Sequence, residues 1–179
     1  DISTSSFTIM SYSPYYKIED FKKEFPFLKY VAELCKFNCK IILVCPKYKK
    51  FIFSKLREYG CAINNVNVIN GYRDIVDYND KIHMYLDSFP VGGGMSTLEA
   101  LSIGIPVVIH NMENYQVLMD EVLIPFSFSA YSDSIDFIYR LKNDQKYYNR
   151  QCMKAYSIFE NYYSSQVVYK EFAVAINNT

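Results

Sequence analysis

The stretch from residue 82 to residue 110 limits the choice of fold more than any other part of the chain. It reads I-H-M-Y-L-D-S-F-P-V-G-G-G-M-S-T-L-E-A-L-S-I-G-I-P-V-V-I-H. An apolar run of strand length enters three consecutive glycines, a short segment of helical spacing follows, and a second apolar run comes after Gly104. Two short apolar runs joined in this way mark a parallel strand, helix, strand unit, because parallel neighbours need a crossover connection and bury both faces. Gly92, Gly93 and Gly94 carry no Cβ, so the backbone can turn sharply there and let a ligand approach. The helix expected from about residue 96 to 103 offers unpaired N–H groups and the positive end of its dipole to an anion. The hydroxyls of Ser96 and Thr97 add donors at its start, and Glu99, a turn further on, is placed to accept hydrogen bonds from a sugar hydroxyl.

The rest of the chain repeats the alternation. Strands are expected at residues 7–12, 39–45, 65–69, 82–86 and 105–109, with a sixth near 122–125. Helical spacing runs through residues 18–35, where Pro26 kinks the helix or begins a second one. Further helices are expected at 49–59, stopped by Gly60, near 113–119, and then at 132–142, 145–160 and 164–175, with a short helix or turn at 72–79. Gly104 closes the helix after the glycine turn, and Pro106 starts the fifth strand where a missing N–H matters least. This order predicts an α/β fold: a Rossmann-like open, mostly parallel sheet of about six strands, with helices on both faces and a helical C-terminus. No internal repeat or low-complexity linker interrupts it, so residues 1–179 are read as a single domain.

Composition narrows the partners. Half of the residues are apolar and the formal net charge is zero, which describes a globular chain without a global field to gather nucleic acid. Any anion must be held locally. No apolar run approaches the ~20 residues of a transmembrane helix. The five cysteines form an odd set without C-x-x-C spacing and are read as reduced thiols, which predicts a cytoplasmic protein. The chain opens on Asp1 and is expected to be a fragment whose upstream part is absent.

The run L-D-S-F-P-V-G-G-G-M-S-T-L-E-A-L-S-I-G-I-P-V-V resembles the donor-binding half of GT-B glycosyltransferases. It is most similar to the O-linked N-acetylglucosamine transferase family and its bacterial protein N-glucosyltransferase relatives. Glu99 stands where these carry an acidic residue five positions before G-x-P, and the resemblance gives it the ribose hydroxyls of a UDP-sugar. Tyr15-Tyr16-Lys17-Ile18 resembles the Y-K-I element whose lysine contacts the donor diphosphate, so Lys17 inherits the catalytic role of stabilising the leaving group. The resemblance implies an inverting, metal-independent hexosyltransferase whose N-terminal acceptor domain lies outside this chain, with a nucleotide sugar as donor and a protein or glycan as acceptor. It calls for no cofactor or metal. The chain departs from the pattern at two places. The E-x7-E motif of retaining enzymes would need an acid where Val91 stands, and Gly94 occupies a position that is histidine in the animal enzymes.

Further candidates follow from position. His110 ends the fifth strand on the edge where ligands gather, and Tyr72 and Arg73 follow the third strand on that edge, where a nucleobase docks in related folds and a stacked ring or a backbone contact would meet it. His83 opens the fourth strand, away from that edge, and is read as structural. Alternatives to the transferase reading are a non-hydrolysing UDP-sugar 2-epimerase and a catalytically inert nucleotide-binding or assembly module beside an active partner. A dinucleotide dehydrogenase is weaker, because S-Y-S-P-Y-Y follows the first strand in place of G-x-G-x-x-G.

Overall fold

The computed structural model describes residues 7–20, 22–45, 47–71, 73–92, 94–113 and 121–170. Six strands form one sheet: β1 (Thr8–Tyr12), β2 (Lys40–Val44), β3 (Val66–Ile69), β4 (Met84–Leu86), β5 (Val107–His110) and β6 (Ser127–Phe128). Every neighbouring pair is parallel and the order is β3-β2-β1-β4-β5-β6. Strands β1, β4 and β5 lie in the middle with both faces covered, and Ile9, Met10, Met84, Tyr85, Leu86, Val107 and Val108 are all buried. The chain winds outward from β1 to β3, returns to the centre, and then winds outward the other way from β4 to β6. The strand order therefore reverses between β1 and β4, the point at which open parallel sheets carry a crevice at the carboxyl ends of their strands.

Right-handed crossovers on the two sides of this reversal place α2 (Pro26–Lys36) and α3 (Lys49–Glu58) on one face and α4 (Gly94–Ser102) on the other. The helical spacing over residues 18–35 is divided in two. A single turn, α1 (Tyr15–Ile18), ends at Glu19, and α2 begins with Pro26, whose fixed φ and missing N–H suit the first turn of a helix. Helix α4 stops before Gly104, which holds a left-handed φ of +72°, a conformation that costs glycine little.

The C-terminal part is helical, with α5 (Tyr131–Asn143), α6 (Gln145–Ile158) and a π-helical turn at Phe159–Tyr163. Asp144 caps α6, its carboxylate accepting the N–H of Tyr147 at 2.9 Å. Helix α5 joins the α2 face through a buried hydrogen bond of 2.7 Å between Tyr30 and Ser134. Helix α6 packs against α4 and sets Tyr148 beneath the amino edge of the sheet, its ring 6.4 Å from Phe7 and 6.2 Å from His83.

Two expectations are corrected. The apolar run near residues 122–125 is not a strand: Glu121–Phe126 forms a 3-10 helix, and the sixth strand is the two-residue segment after it. Pro125 has no N–H for a ladder, and the buried Leu123 and Phe126 are three residues apart, the spacing that brings side chains together in a 3-10 turn. Helix α4 also begins at Gly94, two residues earlier than expected. The helix expected near 113–119 lies almost entirely outside the described residues, as does the end of the helix expected over 164–175, of which residues 165–170 are helical. Among the described residues, no helix is long and apolar enough to cross a membrane.

Candidate functional site

The loops after β1 and β4 meet at the crevice. Beyond β1 the chain passes Ser13 and Pro14 into α1, and the carbonyl of Lys17 accepts a hydrogen bond of 3.2 Å from the N–H of Val91. Val91 immediately precedes Gly92. One backbone hydrogen bond thus joins the tyrosine-lysine element to the entrance of the glycine turn, although the two are far apart in sequence. The approach to the turn is tied down on its own side as well. The N–H of Asp87 reaches Val108 at 2.9 Å, the N–H of Ser88 reaches the Asp87 carboxylate at 3.0 Å, and the Ser88 hydroxyl donates to the carbonyl of Val91 at 3.0 Å. Phe89, joined to Pro90 by a cis peptide bond, turns its ring into the core.

Because α4 starts at Gly94, Ser96 and Thr97 are its third and fourth residues instead of its first two. Thr97 is buried. Ser96 is directed at Tyr85, a fully buried phenol on β4. Burial and the nearby Asp87 raise the Tyr85 pKa, while hydrogen bonds from Ser96 and the backbone of Tyr12 oppose that rise. Glu99 lies in the second turn of α4, three residues beyond Ser96 and on the same face, half-buried with its Oε2 atom shielded from solvent.

A third segment completes the surroundings. The chain leaving β3 crosses the end of β2, and the N–H of Arg73 donates to the hydroxyl of Tyr12, the last residue of β1, at 2.9 Å. It then forms a 3-10 turn, Ile75–Tyr78, that packs against α4. A separate concavity of about 470 Å³ on the same edge is lined by Lys47, Lys49, Lys50 and Asn70, with Tyr48 and Phe51. It adjoins α1 through Tyr15, whose ring lies 4.7 Å from that of Tyr48.

The structure thus brings Lys17, Gly92, Gly94, Ser96 and Glu99 to one edge of the sheet, while Tyr72 and Gly93 lie outside the described residues. His110 is on that edge but faces inward. Only 1% of it is exposed, its ring sits 4.5 Å from Phe89, 4.6 Å from Tyr30 and 5.3 Å from Tyr131, and its Nε2 pairs with the Ser134 hydroxyl at 2.9 Å. Burial pushes its pKa down to about 3. Position on the edge drew attention to His110; the side chain is occupied with packing. At the opposite edge, His83 accepts the N–H of Thr8 on Nδ1 at 3.1 Å, and burial lowers its pKa as well. Tyr12 and Tyr85 were passed over in the sequence because nothing there distinguishes them among eighteen tyrosines.

The strand order and its reversal between β1 and β4 define a Rossmann-like α/β domain. No family model matches the sequence, and no curated protein matches it. Solved structures match in fold. An O-GlcNAc transferase mutant from Thermobaculum terrenum superposes with a TM-score of 0.74 at 17% identity, over 97% of this chain and 36% of that one. HepE from Anabaena, solved in complex with UDP-glucose, gives 0.69 at 16% identity over 99% of this chain and 50% of its own. The C-terminal domain of the group 1 glycosyl transferase LpcC from Francisella tularensis gives 0.65 at 14% identity over 89% of this chain and 87% of its own. The chain thus spans about a third and a half of the first two proteins and most of the third, itself a C-terminal domain. At these identities the likeness is one of fold.

Proposed function

We propose that this chain is the donor-binding domain of a glycosyltransferase that transfers a hexose from a UDP-linked sugar to a protein or glycan acceptor, with inversion and without a metal. The observation that carries the reading is the hydrogen bond from Val91 to Lys17, which gives the glycine turn and the lysine element one common crevice at the reversal of strand order. The fold neighbour holding UDP-glucose supports the class of donor.

In this reading the diphosphate lies over Gly92–Gly94 and the start of α4, with Lys17 beside it, and Glu99 accepts the ribose hydroxyls. An acceptor oxygen or nitrogen attacks the anomeric carbon as the bond to the β-phosphate oxygen breaks. The diphosphate leaves with more negative charge than it carried, and a fixed ammonium and helix-start N–H groups stabilise that charge more in the transition state than in the ground state. The acceptor site and the base that takes its proton belong to a second domain, so this chain alone binds donor and transfers little sugar. Calorimetric titration with UDP, UMP, GDP and NAD tests the reading. UDP is expected to bind more tightly than UMP and the other two, and equal indifference to all four would overturn it.

A further inference from the structure

Strands β1 and β3 are separated by β2, so by sheet geometry their axes are about 10 Å apart. The connection from β3 to β4 has to pass β2 and β1, which lie between them. As it passes, the N–H of Arg73 is fastened to the hydroxyl of Tyr12, the last residue of β1, at 2.9 Å. Arg73 is exposed, yet this loop amide is tied to a side chain sixty-one residues earlier. The following 3-10 turn then rests on α4, the helix that starts at the glycine turn. The segment after β3 is therefore held both at the end of β1 and on α4, the two elements that bound the crevice, with Tyr12 as its anchor in the sheet. The backbone of Tyr12 meets the buried hydroxyl of Tyr85, which also meets Ser96 of α4.

We infer that Tyr12 is a positioning residue for the nucleoside half of the donor: its hydroxyl fixes the main chain at Arg73 as the wall on which the base and ribose rest. The inference stands on the donor-binding reading above. With the diphosphate at the glycine turn, its nucleoside extends along the crevice to this wall. The Tyr12 hydroxyl should therefore matter to a nucleotide and not to a bare diphosphate.

The test is titration of the chain and of its Tyr12→Phe variant with UDP and with inorganic pyrophosphate. Phenylalanine keeps the ring and removes only the hydroxyl. UDP affinity is expected to fall about 3- to 10-fold, as for loss of one hydrogen bond that orders a binding loop, while pyrophosphate affinity stays within twofold. Equal losses for both ligands, or unchanged UDP affinity in the variant, would overturn the positioning role and leave the donor-binding reading in place. Failure of the wild-type chain to bind UDP would remove both. Should the variant not fold, hydrogen exchange on the wild-type chain decides: UDP, and not pyrophosphate, is expected to slow exchange of the Arg73 amide. Equal protection by the two ligands, or none from UDP, would refute the inference.

Discussion

The carboxyl ends of β4 and β5 are adjacent in the sheet and have opposite fates. Beyond β4 the backbone is braced by Asp87, Ser88 and Lys17 on its way to Gly92, and α4 begins at Gly94. At the end of β5, His110 is enclosed by Phe89, Tyr30 and Tyr131. Phe89 belongs to both regions: the same turn that presents the glycines sends its ring down to cover the histidine. The ligand-bearing edge of a parallel sheet is thus a location and not a function. Whether a polar residue there meets a ligand depends on which aromatic neighbours pack over it.

The largest effect that would test this contrast is on the closed side. Replacing His110 with alanine leaves a cavity among three rings and removes a partner of Ser134, and is expected to cost roughly 3 kcal/mol in denaturant unfolding. UDP affinity of the folded variant should be unchanged; a tenfold loss would return His110 to the binding site. On the open side the pattern reverses. Lys17→Ala should lower UDP affinity by roughly 30-fold, as for loss of a charged contact, with the unfolding midpoint preserved.

Acid provides a third test. Burial holds the His110 pKa far below its ordinary value, down to about 3, so the unfolded chain takes up a proton that the folded chain refuses. The neutral histidine's packing is fully available above about pH 6.5, and stability should fall by about 1.4 kcal/mol per pH unit as pH drops from there toward 3. His83 is shifted in the same direction and adds to the slope. His110→Phe should flatten the stability curve measured between pH 6.5 and 4.5, and an unchanged slope would show that the imidazole is not protected. The smallest effect is at Glu99: its alanine variant should bind UDP about fivefold more weakly, an energy of about 1 kcal/mol, and bind pyrophosphate as before. Equal weakening for both would move Glu99 from the ribose to the phosphates.

The sheet was legible in the sequence because buried parallel strands read as short apolar runs, and five of the six lie within two residues of where those runs predict them. The sixth was not. The run Val122-Leu123-Ile124-Pro125 has strand composition, but its proline and the three-residue spacing of its buried positions favour a 3-10 turn, and two residues of real strand carry no pattern. The glycine turn and Lys17 stood out through local spacing and family resemblance. Their shared hydrogen bond, like that between Tyr12 and Arg73, depends on which strands become neighbours. Ser96 shows the limit in one residue. The glycines before it conceal that the helix has already begun at Gly94, so its hydroxyl was read as a donor at the helix start, whereas it is directed at Tyr85.

Tyr148 rests on Phe7 and His83, so residues from the first strand and from the last third of the chain share one patch of core. During synthesis Phe7 leaves the ribosome long before Tyr148 is made. Until α6 arrives, the underside of β1 and β4 is open to water and to other nascent chains, so completion of the sheet is a late, long-range event.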